Sequence, residues 1–268
     1  MTTDAVALSI SQFLDAWRIF GRACAGTKVL NAGAAEYIFT GLPIAFFNVA
    51  VVTAPQVSAP ALDAAARGAM QWAADKGAPW LFIVTHEALE PSVDAAATLE
   101  PCGLVPLLPL TGMLARQIPH DARVPAGLQL EVPEDDDGCC DIIDVNSAAY
   151  GMDLNASKPA FGRGSFWADH VPVLGRAGGA PATSAAVLLS GGYRYVALVA
   201  TQPGHQKRGF AEAAMRLALS VASEKFGERP TFLHATDAGR PIYARMGYEV
   251  TATHTCFIDK RLLEGHTN

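Results

Sequence analysis

Two stretches of the chain share a pattern of apolar and polar positions. Phe46–Pro55 and Tyr193–Pro203 are both β-branched, apolar runs that close on Thr-x-Pro. An Ala-rich segment with helical spacing follows each. In the first, Leu62, Ala66, Met70 and Ala73 fall on one face; in the second, Ala211, Met215, Leu219, Ala222 and Phe226 do. Spacings of three and four place these side chains on one stripe of an α-helix. A proline-bearing turn comes next, at Pro79 or Pro230, and then a strand, Trp80–Thr85 or Thr231–Thr236. A further helix and a glycine, Gly103 or Gly247, complete each copy. The pattern predicts two related α/β halves divided in the stretch Pro119–Gly127, although any two strand–helix–strand units share some of this likeness.

In the second half, helices are expected over Asp141–Tyr150 and Phe161–Asp169. Strands are expected over Val171–Gly175, Thr183–Ser190 and Tyr193–Thr201. The long helix follows, then strand Thr231–Thr236, helix Pro241–Met246 and a last strand near Tyr248–Ile258. Gly191-Gly192 between two apolar runs predicts a hairpin. This order predicts a mixed sheet flanked by helices. The acidic run Glu134–Asp137 reads as a solvated turn, with no partner spacing for a metal.

Composition narrows the classes. At 268 residues, half of them hydrophobic, the chain can bury one large core or two small ones. A formal net charge of -6 argues against nucleic-acid and anionic-membrane partners. Five cysteines without a C-x-x-C pair predict reduced, mostly buried thiols and no metal site. Neither a signal peptide nor a run of 18 uninterrupted apolar residues is evident, so a cytoplasmic protein is expected.

The chemistry concentrates where strand Tyr193–Thr201 runs into Pro203-Gly204-His205-Gln206-Lys207-Arg208-Gly209-Phe210-Ala211 and then a helix. The first N–H groups of a helix lack internal partners and carry partial positive charge, so a diphosphate can accept them. Lys207 and Arg208 add charge. A P-loop is excluded because Phe210 and Ala211 follow Gly209 where Lys and Ser or Thr are required. A dinucleotide fingerprint at Gly162-Arg163-Gly164 fails for want of a third glycine.

Gln206-x-x-Gly209-x-Ala211 resembles the pyrophosphate loop, Q/R-x-x-G-x-G/A, of the GCN5-related N-acetyltransferase (GNAT) family. Arg240-Pro241-Ile242-Tyr243-Ala244-Arg245-Met246-Gly247-Tyr248 resembles a second segment of that family. With the elements upstream, the resemblance covers about residues 128–260. It implies a GNAT-like acyl-CoA N-acyltransferase fold, with residues 128–268 as a catalytic domain and residues 1–120 as a degenerate copy. It implies acetyl-CoA as co-substrate and a primary amine of a small molecule or peptide as acceptor.

The cofactor residues so implied are Val199, Ala200, Thr201, Gln206, Lys207, Arg208, Gly209, Phe210 and Ala211. A splay between the fourth and fifth strands of the fold would admit the pantetheine arm. Tyr243 matches the tyrosine the family commonly uses as general acid, and its alternative is to pack against the sheet. His234 and Asp237 are weighed as base or positioning groups, with a packed core histidine favoured at 234. Gly247 and Tyr248 read as a turn and a packed aromatic. Phe161, Phe166 and Trp167 either line a cleft or pack together. In the first copy, the turn Gln56–Ala61 has no glycine or cation and carries Pro60, which lacks an N–H. That half would support the fold, cover the substrate side or form an interface, including that of a homodimer. A CoA-binding sensor or scaffold without turnover is the competing reading, and a dimer partner with a vestigial loop is the third.

Overall fold

The computed structural model describes residues 2–119 and 123–264, with side chains through residue 263. The first half runs α1 (Thr3–Ala23), β1 (Lys28–Ala32), β2 (Ala35–Phe39), β3 (Asn48–Val52), α2 (Ala59–Ala73), β4 (Leu81–Thr85), α3 (Ala95–Leu99) and β5 (Leu104–Ala115). The second runs β6 (Leu128–Glu131), α4 (Asp136–Tyr150), α5 (Lys158–Phe161), α6 (Gly164–Trp167), β7 (Val171–Ala177), β8 (Ala180–Ser190), β9 (Tyr193–Thr201), α7 (Phe210–Phe226), β10 (Thr231–Ala235), α8 (Arg240–Arg245), β11 (Glu249–Asp259) and α9 (Lys260–Glu264). Leaving aside β6, α5, α6 and α9, both halves follow one order: helix, three strands, helix, strand, helix, strand.

By packing, the chain forms two compact units. Among the described residues, the first comprises 2–113, 234–244 and 248–264, and the second comprises 114–119, 123–233 and 245–247. In the first, the strand order is β1-β2-β3-β4-β11-β5. Strands β3 and β4 are parallel, Val49 facing Leu81. Strand β11 joins β4 antiparallel, from Ile258↔Leu81 to His254↔Thr85. This ladder is what ties the end of the chain to its first half. Side chains on the two faces of β3 and β4 enter separate cores. Val52, Phe82 and Val84 pack with Leu62 and Ala66 of α2, while Val49, Val51, Leu81 and Ile83 pack with Phe13 and Leu14 of α1. Strand residues alternate between faces, so one run of apolar residues fills both cores.

In the second unit the order is β10-β9-β8-β7-β6. The Gly191-Gly192 hairpin forms as expected, both glycines having positive φ and Ser190 facing Tyr193. Leu128, Ala182, Phe210 and Ala213 form one core cluster; Ile142, Val145, Leu174 and Ala200 form another. Arg194 is fully buried. It donates to the carbonyls of Leu219 (3.3 Å) and Arg229 (2.5 Å), to Glu228 (3.3 Å) and to the Ser223 hydroxyl, and so joins β9 to the C-terminal end of α7.

Several boundaries differ from the sequence reading. Helix α4 starts at Asp136, because the Asp135 carboxylate accepts the Gly138 N–H at 2.8 Å; the acidic run is a cap and first turn. The helix expected over Phe161–Asp169 is two short pieces, α5 and α6. There Phe161 and Trp167 are buried, Phe166 packs between them, and the Trp167 indole donates to the Phe161 carbonyl at 2.9 Å. The pattern gave no warning of α1, β1, β2 or β5. Residues 120–122 of the inter-half stretch lie outside the described residues. All five cysteines are free. Burial pushes the Cys24 and Cys139 thiols up to about 11 and Cys256 to about 12, so none of these three is a ready thiolate.

Candidate functional site

The loop between β9 and α7 is built on backbone conformations that few residues adopt. Lys207 (φ 61°) and Gly209 (φ 78°) are left-handed, with Arg208 between them outside that region. Alternation of this kind turns successive N–H groups toward one side. Gly209 is the N-cap of α7 and has no side-chain oxygen to offer. Of the four helices longer than eight residues among the described residues, α1, α2 and α4 are capped by Thr2, Ser58 and Asp135, and α7 has no side-chain cap. The first N–H groups of α7 therefore face outward in need of an acceptor. At the matching place in the first half, Ser58 accepts the Ala61 N–H at 3.4 Å and Pro60 has none to give, so that terminus is already satisfied.

Around the loop, the His205 ring stacks on Phe210 (centroids 5.9 Å apart, 18° between planes). The Arg208 guanidinium sits 4.6 Å from the Phe210 ring centre and 3.2 Å from His205 Nδ1. Phe210 is buried while Gln206, Lys207 and Arg208 are exposed. His205 is thus half-buried, stacked within the loop. The Gln206 side chain turns back and donates to the Thr201 carbonyl at 3.3 Å. Ala211 lies in the first turn of α7.

Strand β9 leads into this loop. Its register with β10 covers Arg194↔Thr231 and Tyr195↔Phe232; among the described residues, Val196–Thr201 have register partners on the β8 side only. Within that stretch the β8 ladder is interrupted: Ala197 faces Ala186 and Ala200 faces Ser184, so Leu198 and Val199 together oppose Ala185. This is a β-bulge, and Leu198 takes it with φ 51°. The carbonyls that follow are held by side chains. Ser184 Oγ donates to Leu198 (2.8 Å), Tyr150 Oη to Val199 (2.9 Å) and Thr183 Oγ1 to Ala200 (2.7 Å). Gln206, Gly209 and the strand residues Val199–Thr201 all belong to the second unit.

Tyr243 belongs to the first unit, on α8, and is buried. Its ring lies edge-on to Tyr248 at 6.1 Å, and its carbonyl accepts the Tyr248 N–H at 3.0 Å. Gly247 (φ 101°) supplies the turn between them. In the same unit, Ser9 of α1 lies 3.2 Å from His234 Nε2 and 2.9 Å from His254 Nε2, and His254 Nδ1 reaches Thr85 Oγ1 at 2.9 Å. Burial holds His234 well below the usual imidazole range and His254 down to about 3. Asp237 is exposed beyond β10.

Sequence reasoning missed the bulge, its side-chain partners Asn146, Tyr150 and Ser184, and His254. A glycine would have signalled the positive φ; a leucine does not. Among the described residues, no group of three or more His, Cys, Asp or Glu could hold a metal. No helix among them is long and apolar enough to cross a membrane.

Residues 191–251, which hold this strand, loop and helix, match the family model described as an acetyltransferase (GNAT) domain. The fold resembles solved structures along nearly its whole length. A GCN5-related N-acetyltransferase from Kribbella flavida is 21% identical over 95% of each chain, with a TM-score of 0.70. One from Sphaerobacter thermophilus is 14% identical, covering 95% of this chain and 91% of that one, with a TM-score of 0.58. A tandem GNAT protein from the clavulanic acid biosynthesis pathway is 12% identical over 96% and 95%, with a TM-score of 0.54. No curated protein matches by sequence. By the matched segment and by its fold, the chain is similar to GCN5-related N-acetyltransferases. The order of elements repeats between its two halves, and the tandem GNAT protein shares the fold over nearly the whole chain.

Proposed function

We propose that this protein transfers an acetyl group from acetyl-CoA to a primary amine of a small molecule or peptide. The observation that carries the proposal is the N-terminus of α7. It is uncapped, opened by Gly209 at φ 78° and flanked by Lys207 and Arg208. Backbone N–H groups from Gly209, Phe210 and Ala211 suit a diphosphate, and the helix dipole favours its charge. Gln206 reaches it by leaving the Thr201 carbonyl. The stretch of β9 beyond its register with β10 supplies Val199, Ala200 and Thr201 to the pantetheine arm, and a backbone N–H there stabilises the oxyanion of the transfer.

The amine, once its ammonium proton has left to solvent, attacks and forms the C–N bond; the C–S bond then breaks, and the new amide nitrogen sheds a second proton to solvent, from which the phenolate left on the donor is restored. The departing thiolate needs a proton, which Tyr243 is assigned to donate on the strength of its place in the family segment. A phenol with an ordinary pKa of about 10 is protonated at neutral pH and has a proton to give; its transfer to a thiolate whose acid has a pKa of about 8.5 is uphill by only about 2 kcal/mol, within reach of a turnover step. Residues 128–268 are taken as the catalytic half. Residues 1–120 are taken as a copy whose corresponding helix end is closed by Ser58 and Pro60.

Thermal unfolding with and without acetyl-CoA tests the reading. Ligand at 100 times its dissociation constant adds about 2.7 kcal/mol of stability. An unchanged midpoint at millimolar acetyl-CoA would sink it. Binding without thiol release across a panel of primary amines would favour the sensor or scaffold.

A further inference from the structure

Leu198 is held in a conformation that a β-carbon resists, at a cost of about 1–2 kcal/mol. Such strain persists only where the surroundings determine it, and three side chains do so here. The Ser184 hydroxyl donates to the Leu198 carbonyl at 2.8 Å. Asn146 Nδ2 donates to Ser184 Oγ at 3.0 Å and to the Ile142 carbonyl at 2.8 Å, which fixes the direction of the Ser184 proton. Tyr150, at the end of the same helix, donates to the next carbonyl, Val199, at 2.9 Å. Ser184 and Asn146 are buried, and Asn146 Oδ1 has no partner there. Burying an unpaired acceptor is costly, so packing alone does not account for an asparagine at this place.

The consequence follows from peptide geometry. In a trans peptide the C=O and the following N–H point in opposite directions, and no cis bond occurs among the described residues. Drawing the Leu198 carbonyl toward Ser184 turns the Val199 N–H away from it. Drawing the Val199 carbonyl toward Tyr150 fixes the neighbouring plane. Because Leu198 and Val199 are the residues skipped by the β8 register, this N–H lies in the bulge.

Resting on the acetyl-CoA reading above, we propose that Ser184, Asn146 and Tyr150 are positioning residues, which hold the Leu198–Val199 peptide so that the Val199 N–H meets the thioester carbonyl. They act through the backbone and touch neither the pyrophosphate loop nor the thiol. Their contribution is to binding of the acetyl group, separable from binding of CoA itself.

Calorimetric titration with acetyl-CoA and with CoA separates the two. Tyr150→Phe removes one hydroxyl from a half-exposed ring, and Ser184→Ala removes the other donor. Each variant is expected to bind CoA as the wild type does and to lose about fivefold of the preference for acetyl-CoA over CoA, the worth of one hydrogen bond. Hydrogen exchange over residues 196–201 without ligand should accelerate in both, a readout independent of either ligand. An unchanged preference in both variants, or unchanged exchange over 196–201, overturns the proposal. No binding of either ligand by the wild type overturns the cofactor reading, and this proposal with it.

Discussion

Gly239 has no room for a β-carbon because Tyr243 occupies the space: one placed there would lie 2.8 Å from the ring and 3.2 Å from the phenol oxygen. The turn before α8 thus ends on a glycine for a steric reason, and that reason is the assigned general acid. Gly239→Ala should displace the Tyr243 hydroxyl and lower thiol release from acetyl-CoA while leaving acetyl-CoA affinity within about twofold. A variant with full turnover would show that the position of this ring does not matter to the reaction.

Tyr243→Phe keeps the ring and removes the proton. Thiol release should fall by about 10²–10³-fold with the dissociation constant for acetyl-CoA little altered, in the range for loss of a general acid. A drop in affinity with turnover intact would assign Tyr243 to packing or to CoA contact.

Gly209→Glu places a carboxylate where the loop needs to accept an anion, at a backbone φ of 78°. Stability should fall by about 1–2 kcal/mol from the left-handed conformation, and acetyl-CoA should no longer raise the melting temperature. Retained binding would contradict the loop assignment. The control is Ser58→Ala in the first half, which should lose about 1 kcal/mol from its cap and bind acetyl-CoA normally.

The cluster of Ser9, His234 and His254 predicts sensitivity to acid. His254 is held down to about 3, by burial first and by His86 second; His234 is held well below its ordinary value, by burial first and by His254 second. Ser9 and Thr85, which hydrogen-bond to the pair, carry no charge. Above about pH 6.5 these imidazoles are neutral both folded and unfolded. Below it the unfolded chain takes up protons that the folded one refuses. Stability is therefore complete above pH 6.5 and lost as pH falls toward 3, by about 1.4 kcal/mol per unit for His254. Urea unfolding between pH 7 and 5 should show this slope, and His254→Gln should flatten it; equal slopes in the two proteins would refute the assignment.

Arg194 is a fully buried cation of the second unit. Arg194→Met removes the one side chain that donates to the Leu219 and Arg229 carbonyls together and should cost about 3 kcal/mol in chemical unfolding. Arg194→Lys should recover little of it, since one ammonium cannot span the Leu219 and Arg229 carbonyls as the planar fork does.

What the sequence determined by itself was whatever depends on residues close along the chain. The β9–loop–α7 order, the Gly191-Gly192 hairpin, the duplicated strand–helix–strand pattern and the family likeness of Gln206–Ala211 all follow from local spacing and turn chemistry. The failure of Gln56–Ala61 to repeat the loop was legible for the same reason, since Pro60 has no N–H wherever it sits. Tertiary structure decided three other things. Strand β11 pairs with β4, so that Glu249–Asp259 packs with the first half. Ser9 of α1 meets two histidines more than 200 positions away. Leu198 is bent into a conformation its side chain disfavours by Ser184 and Tyr150, 14 and 49 positions away from their acceptors. Each depends on hydrogen bonds whose partners become neighbours only when the strands assemble, and a strained leucine carries no mark of them in its own stretch of chain.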